Sequence, residues 1–387
     1  MNFIYLSPHF PPNYYLFCVH LHHMGVNVLG LADEPFEALK PALKSALTEY
    51  YRVSDMHNYD ELVRACGYFT HRYGKLDRID SQNEYWLETE AMLRTDFNMT
   101  GLRVVDMPKI KRKSVMKVYF QKAGVPVAHG KVVHTIAEAK RLIKEIGYPI
   151  VAKPDIGVGA AKTYKIHNET EIEQFFSQKP PIDYIIEEFI PGIICTFDGM
   201  TDQDGNIVFF TSHQYSQGIM ETVINDENIY YYSLREIPAD LEESGRKIVK
   251  AFDIRERFFH FEFFRTPENQ IVALEVNIRP PGGMTTDMLN YANDIDVYKE
   301  WANIIVYNKF MAPYSRPYHC GYVSRKYNRT YAHSHEQILA AFGPAGIPHH
   351  ETISGVFSAA LGDYGYLIRS PELSEIIEMA SYIQQPA

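Results

Sequence analysis

A chain of 387 residues exceeds one ordinary domain and can bury a large core, so two or three units are expected. Its formal net charge of -10 excludes nucleic acid and anionic membrane as main partners, because polyanions need a basic surface. The start MNFIYLSPHFPPNYY has no basic n-region, no stretch reaches the length of a membrane span, and Cys18, Cys66, Cys195 and Cys320 are scattered without a CxxC; a cytoplasmic protein without a disulfide framework is expected.

In the first hundred residues, NFIYLS, VNVLGLA, EYYRVS and LDRIDS have the pattern of strands, with helical periodicity between them in YDELVRACGYFTHRY and EYWLETEAMLRTDF. Such alternation predicts a parallel sheet of the Rossmann kind. No GxGxxG follows the first strand, so no dinucleotide is expected there. His20, His22 and His23 lack the i, i+4 spacing of a helical metal pair and read as structural.

A boundary falls near GLRVVDMPKIKRK, with Lys113 closing its basic run. Beyond it come a helix ending at Gly124, a strand VPVAHGKVV, and a helix capped by Thr135 and Glu138. YPIVAKP is a strand that delivers Lys153 to a small-residue loop with Gly157 and Gly159, whose amides suit phosphate oxygens. IIEEFIPG then ends a buried strand with Glu187, Glu188, Phe189 and Ile190 before a turn, in the manner of a hinge that offers backbone groups to a purine edge. The following segment, IICTFDGMTDQDGNIVFFTSHQYS, is a strand pair turned at Asp204 and Gly205.

Residues 259–283, FHFEFFRTPENQIVALEVNIRPPGG, alternate on both flanks of a polar turn. Phe259, Phe261 and Phe263 share one face and His260 and Glu262 the other; Val272, Leu274 and Val276 oppose Ala273, Glu275 and Asn277. Folding about Glu268 and Asn269 sets Glu262 opposite Glu275, with Asn277 on the same side. Like charges directly opposite are destabilising. A divalent cation resolves the conflict, and an oxygen-only set suits magnesium or manganese. Arg279, the Pro280–Pro281 turn, and Gly282 and Gly283 ahead of a helical pattern then form a place for an anion.

The order of these motifs, from Lys113 through YPIVAKP, the glycine loop, IIEEFIPG and LEVNIRPPGG, resembles the ATP-grasp superfamily over residues 107–306. The resemblance implies an α/β architecture, with a Rossmann-like domain over 1–106, a small lid subdomain over 107–190 and a C-terminal subdomain over 191–387. It implies ATP and Mg2+ (or Mn2+) as cofactors. Lys113 and Lys153 become phosphate contacts, the 155–161 loop a lid, and Glu187, Glu188, Phe189 and Ile190 the adenine hinge. Glu262, Glu275 and Asn277 become metal ligands, and Arg279 a contact to the transferred phosphate. Many members carry a ribose-binding glutamate where this chain has Ile194, leaving Glu188 or Asp198 for that role.

Most members activate a carboxylate as an acyl phosphate that an amine attacks, so a carboxylate–amine ligase releasing ADP and phosphate is expected, of the amino-acid or dipeptide kind. Small-molecule carboxylate and amine substrates are the partners, and a homodimer is compatible. Amides at Gly282 and Gly283 would hold an oxyanion or carboxylate. HQYSQGIMET and GYVSRKYNRTY are candidate pocket linings, with Arg325 and Arg329 as carboxylate anchors. Two other readings stand beside this one: a bicarbonate-phosphorylating carboxylase, which lacks a biotinyl segment here, and a nucleotide-binding module without turnover.

Overall fold

β1 (Asn2–Leu6) is buried on both sides in the computed structural model, which describes residues 1–157, 162–216, 227–353 and 355–387. Its alternation sends Phe3 and Tyr5 to one core, shared with Phe17 and Trp301, and Ile4 and Leu6 to another, shared with Leu62 and Phe69. Flanked by β2 (Asn27–Ala32), β3 (Glu49–Arg52) and β4 (Arg78–Asp80), it forms a parallel sheet of order β3-β2-β1-β4, as the alternating pattern predicts. The His20–His23 cluster closes the helix Tyr15–His23, where His20 meets Asp296 at 3.0 Å.

A second sheet contains β5 (Gly130–Val133), β6 (Ile150–Pro154), β7 (Tyr164–Ile166) and β8 (Tyr184–Glu188), antiparallel in the order β5-β8-β6-β7. The helices Ile136–Ile146 and Glu169–Gln178 cover one face. Thr135 and Glu138 make the expected capping box. The strand expected over VPVAHGKVV is shorter, since Val127 makes only an isolated bridge to Ala273. Residues 107–125 belong with the third sheet rather than the second: Met107, Ile110, Met116, Phe120 and Val125 share a core with Phe259, Phe261 and Phe263.

The third sheet has nine strands among the described residues: β9 (Ile193–Thr201), β10 (Ile207–Thr211), β11 (His213–Tyr215), β12 (Tyr230–Ser233), β13 (Phe258–Arg265), β14 (Ile271–Asn277), β15 (His319–Arg325), β16 (His349–Thr352) and β17 (Tyr364–Ser370). Their order is β14-β13-β9-β11-β12-β15-β17-β16, with β10 also paired to β9. The last seventy residues thus extend this sheet rather than forming a separate unit. The β13–β14 register pairs Glu262 with Glu275 as the sequence predicts, but a bulge follows. Phe263 pairs with Ala273, so Leu274 is the extra residue, and Ile271 and Ala273 join Val276 in the core behind the β13 phenylalanines while Val272 is buried on the other face. No helix among the described residues is long and apolar enough to cross a membrane.

The first and third sheets are joined by buried charge. Arg257 meets Asp80 at 2.8 Å and Glu90 at 3.9 Å, Arg94 braces Glu90 from within the first unit at 2.8 Å, and the half-buried pair Arg78–Glu256 closes the junction at 2.9 Å. Removing one partner from such a group leaves an uncompensated buried charge. Asp80→Ala is therefore expected to cost about 3–5 kcal/mol in urea unfolding; a loss below about 1 kcal/mol would show that this cluster does not hold the units together.

Candidate functional site

On β13, His260 faces Asp198 of β9 on one side and Asn277 of β14 on the other, while Glu262 faces Thr196 and Glu275. Two polar rows thus cross three strands, and Phe259, Phe261 and Phe263 fill the core behind them. Each carboxylate spends one oxygen on a cationic neighbour. Glu275 Oε1 accepts from Lys113 Nζ at 2.9 Å, and Glu262 Oε1 lies 3.2 Å from His260 Nε2. Burial disfavours a charged Glu262, but the hydrogen bond and charge of His260, with Arg279 beyond, hold it below the usual carboxylate range. Burial likewise opposes the Lys113 ammonium, and Glu275 outweighs it to raise its pKa. Two paired carboxylates, each with a second oxygen outside these bonds, and the Asn277 amide oxygen on the same face form a hard donor set that fits magnesium or manganese.

Arg279 reaches back across this row. Its guanidinium donates to Asn277 Oδ1 at 3.3 Å and to the Pro280 carbonyl at 2.9 Å, and its Nε lies 3.8 Å from Glu84 of the first unit. Lys111 holds the other Glu84 oxygen at 3.0 Å. Gly283 adopts φ +63°, which favours glycine, and with Gly282 leads into the helix Thr285–Asn293.

The second sheet presents a matching group. Lys153 of β6 and Lys117 of the helix Lys113–Lys122 each lie 2.6 Å from a different oxygen of Glu187, on β8. Burial alone would raise the Glu187 carboxyl; the two lysines hold it at about 2. Gly130 lies directly opposite Glu187, where a Cβ would come within 2.4 Å of the Ile186 carbonyl oxygen, so only glycine lets β5 approach. Lys113 and Lys117, one helical turn apart, therefore tie one helix to Glu275 in the third sheet and Glu187 in the second. Lys113 also donates to the Gly157 carbonyl at 2.8 Å, which brings the start of the glycine loop to the carboxylate pair. Gly159 and most of the expected 155–161 lid lie outside the described residues, as do residues 217–222 of HQYSQGIMET.

After β8, Glu188 accepts from the His129 amide at 2.6 Å, Phe189 packs under Lys165 Nζ at 3.5 Å, and Ile190 is half-buried. Asp198 is not placed for a ribose. It is fully buried, with Oδ1 on His260 Nδ1 at 2.6 Å and Oδ2 on His213 Nδ1 at 2.7 Å. Those imidazoles outweigh its burial and keep it well below the carboxylate range. Arg325 is also corrected: it donates to the carbonyls of Ile383 and His333 and stacks on Tyr331, so it holds the C-terminal helix rather than a substrate. Four participants were missed. Lys117 was legible from its i, i+4 spacing to Lys113, whereas Glu84, Lys111 and the His260–Asp198 contact depend on segments far apart in sequence.

The depressed Glu187 pKa carries a pH signature. Because the folded value lies below the unfolded one, its contribution is full above the ordinary value of 4.5 and is lost as pH falls toward 2. Urea unfolding should show Glu187→Gln weaker than the native chain by about 3 kcal/mol at pH 7, narrowing markedly at pH 3. An equal gap at both pH values would mean that the lysines do not stabilise the ionised form.

Residues 146–287 match the ATP-grasp domain model. An L-arginine-specific L-amino acid ligase of Bacillus subtilis is 24% identical over 251 residues, 61% of this chain and 59% of that protein's length. The crystal structure of an L-amino acid ligase from Bacillus licheniformis superposes with a TM-score of 0.74 at 15% identity, covering 98% of this chain and 95% of that one. The biotin carboxylase domain of the Hydrogenobacter thermophilus 2-oxoglutarate carboxylase, a dimer in complex with MgADP, ADP and bicarbonate, gives 0.68 at 16% identity, with 96% and 86% covered. The sequence match identifies residues 146–287 as an ATP-grasp domain, and the fold shared with the ligase structure agrees with it.

Proposed function

We propose that the protein is an ATP-dependent carboxylate–amine ligase that joins amino acids through an acyl phosphate. The observation that carries this reading is the convergence of the facing Glu262 and Glu275 with Asn277, Lys113 and Arg279 on one sheet edge. Glu262, Glu275 and Asn277 would hold magnesium or manganese, which when bound neutralises phosphate charge. Lys113 and Lys153 bind phosphate oxygens; an ammonium has three donors, so each can keep its glutamate and still meet a nucleotide. The strand end from Glu187 to Ile190 offers backbone groups and apolar packing to adenine.

In this reading the substrate carboxylate oxygen attacks the terminal phosphorus and ADP leaves, and the amine then attacks the acyl carbon as phosphate departs and the nitrogen loses a proton. Arg279 and Lys153 neutralise the charge that develops during phosphoryl transfer, and the amides at Gly282 and Gly283 hold the carboxylate or oxyanion. No protein nucleophile is required. The similarity to L-amino acid ligases supports amino acids as substrates.

The products test the reaction class. With pooled L-amino acids and magnesium, ADP and inorganic phosphate are expected, and hydroxylamine should trap a hydroxamate; AMP and pyrophosphate would exclude this route. Bicarbonate-dependent ADP release without amino acids would replace the ligase with a carboxylase.

Arg279 distinguishes turnover from nucleotide binding. A planar fork meets phosphoryl oxygens in flight, where a point charge does not. Arg279→Ala is expected to lower kcat by roughly 100-fold to 1,000-fold while ATP affinity changes far less. Loss of ATP affinity with kcat retained would make Arg279 a ground-state contact.

A further inference from the structure

We propose that Asp198 and His260 are positioning residues for Glu262, and that this buried chain sets the affinity of the divalent-cation site. The proposal rests on the assignment of Glu262, Glu275 and Asn277 as ligands. Its own observations are geometric. Asp198 and His260 are register partners on β9 and β13, and their side chains meet at 2.6 Å through Oδ1 and Nδ1. The opposite ring nitrogen, Nε2, lies 3.2 Å from Glu262 Oε1. Thr196 Oγ1 and His213 Nδ1 hold the other Asp198 oxygen, the latter at 2.7 Å, so the aspartate itself is fixed from a third strand, β11.

Both ring nitrogens of His260 lie against carboxylates, Nδ1 on Asp198 and Nε2 on Glu262. Its orientation is then set at both ends. Neither group has an atom left for substrate: both Asp198 oxygens are taken by His260, His213 and Thr196, and both ring nitrogens of His260 face carboxylates. Their effect must pass through Glu262. That side chain stands opposite a like charge, Glu275, and without an anchor it gains freedom by turning away. His260 commits one oxygen of Glu262 and leaves the second for the cation, the way outer partners of metal ligands orient the ligand. Glu275 has its own anchor in Lys113, on the far side of the pair.

The test is direct Mn2+ titration of the full chain with ADP present, followed by the electron paramagnetic resonance signal of free Mn2+, for the native protein and for Asp198→Asn, His260→Ala, His260→Gln and Glu275→Gln. Thermal melting without metal and ADP affinity without metal report on damage to the fold. Asp198→Asn and His260→Ala are each expected to weaken Mn2+ by about 10-fold to 100-fold with metal-free ADP affinity retained. His260→Gln, which keeps a single donor nitrogen where the ring offers two on opposite sides, should fall between His260→Ala and the native chain. If Glu275→Gln weakens Mn2+ while folded Asp198→Asn and His260→Ala stay within about twofold of native, the positioning role is overturned and the cation site stands. Should His260→Ala melt before the titration temperature, Asp198→Asn, which preserves size and an acceptor, decides the matter. Unchanged Mn2+ binding in Glu275→Gln would remove the cation site and the positioning role with it.

Discussion

Two carboxylates held opposite each other on a β-ladder repel, and much of this molecule is arranged around that repulsion. Glu262 and Glu275 are paired by the register of β13 and β14, and each is met by a cation from a different direction: Glu262 by His260 of its own strand and Glu275 by Lys113, 162 residues earlier in the chain. Arg279 adds a third positive group beside Asn277. These groups hold the pair in place while leaving each carboxylate a second oxygen outside its ion pair, which is what an oxygen-seeking divalent cation needs.

The helix Lys113–Lys122 links this row to the second sheet. Its first lysine reaches Glu275 and the Gly157 carbonyl, and the next turn carries Lys117 to Glu187, where Lys153 joins from β6. One helix thus connects the carboxylate pair, the start of the glycine loop and the strand that leads to residues 188–190. Since the apolar side of the same helix packs with Phe252 and the phenylalanines of β13, its position is set by the third sheet. Sequence order had grouped it with the second.

The first unit contributes more than a scaffold. Glu84 lies against Arg279 and Lys111, and Asp80, the last residue of β4, binds Arg257 at the root of β13. A parallel sheet exposes its loops at the carboxyl ends of its strands, and β4 ends at this junction. The segment between Asp80 and Glu84 therefore couples the orientation of the first unit to the place where Arg279 sits.

What the residues alone determined were the features that depend on local spacing. Period-two alternation marked β13 and β14, the symmetry about Glu268 and Asn269 predicted the Glu262–Glu275 pairing, and the order of motifs pointed to the ATP-grasp fold. The bulge at Leu274 was not legible, because alternation says nothing about which strand carries an extra residue. Asp198 and Arg325 offered the right chemistry at suggestive places, yet only tertiary packing decided that one is enclosed by two imidazoles and the other by backbone carbonyls. The same holds for Glu84, Lys111 and His260. Their neighbours come from remote segments, and a charged group acquires its role from what lies within a few ångströms, a quantity that strand register and sheet order set and that residue spacing does not contain.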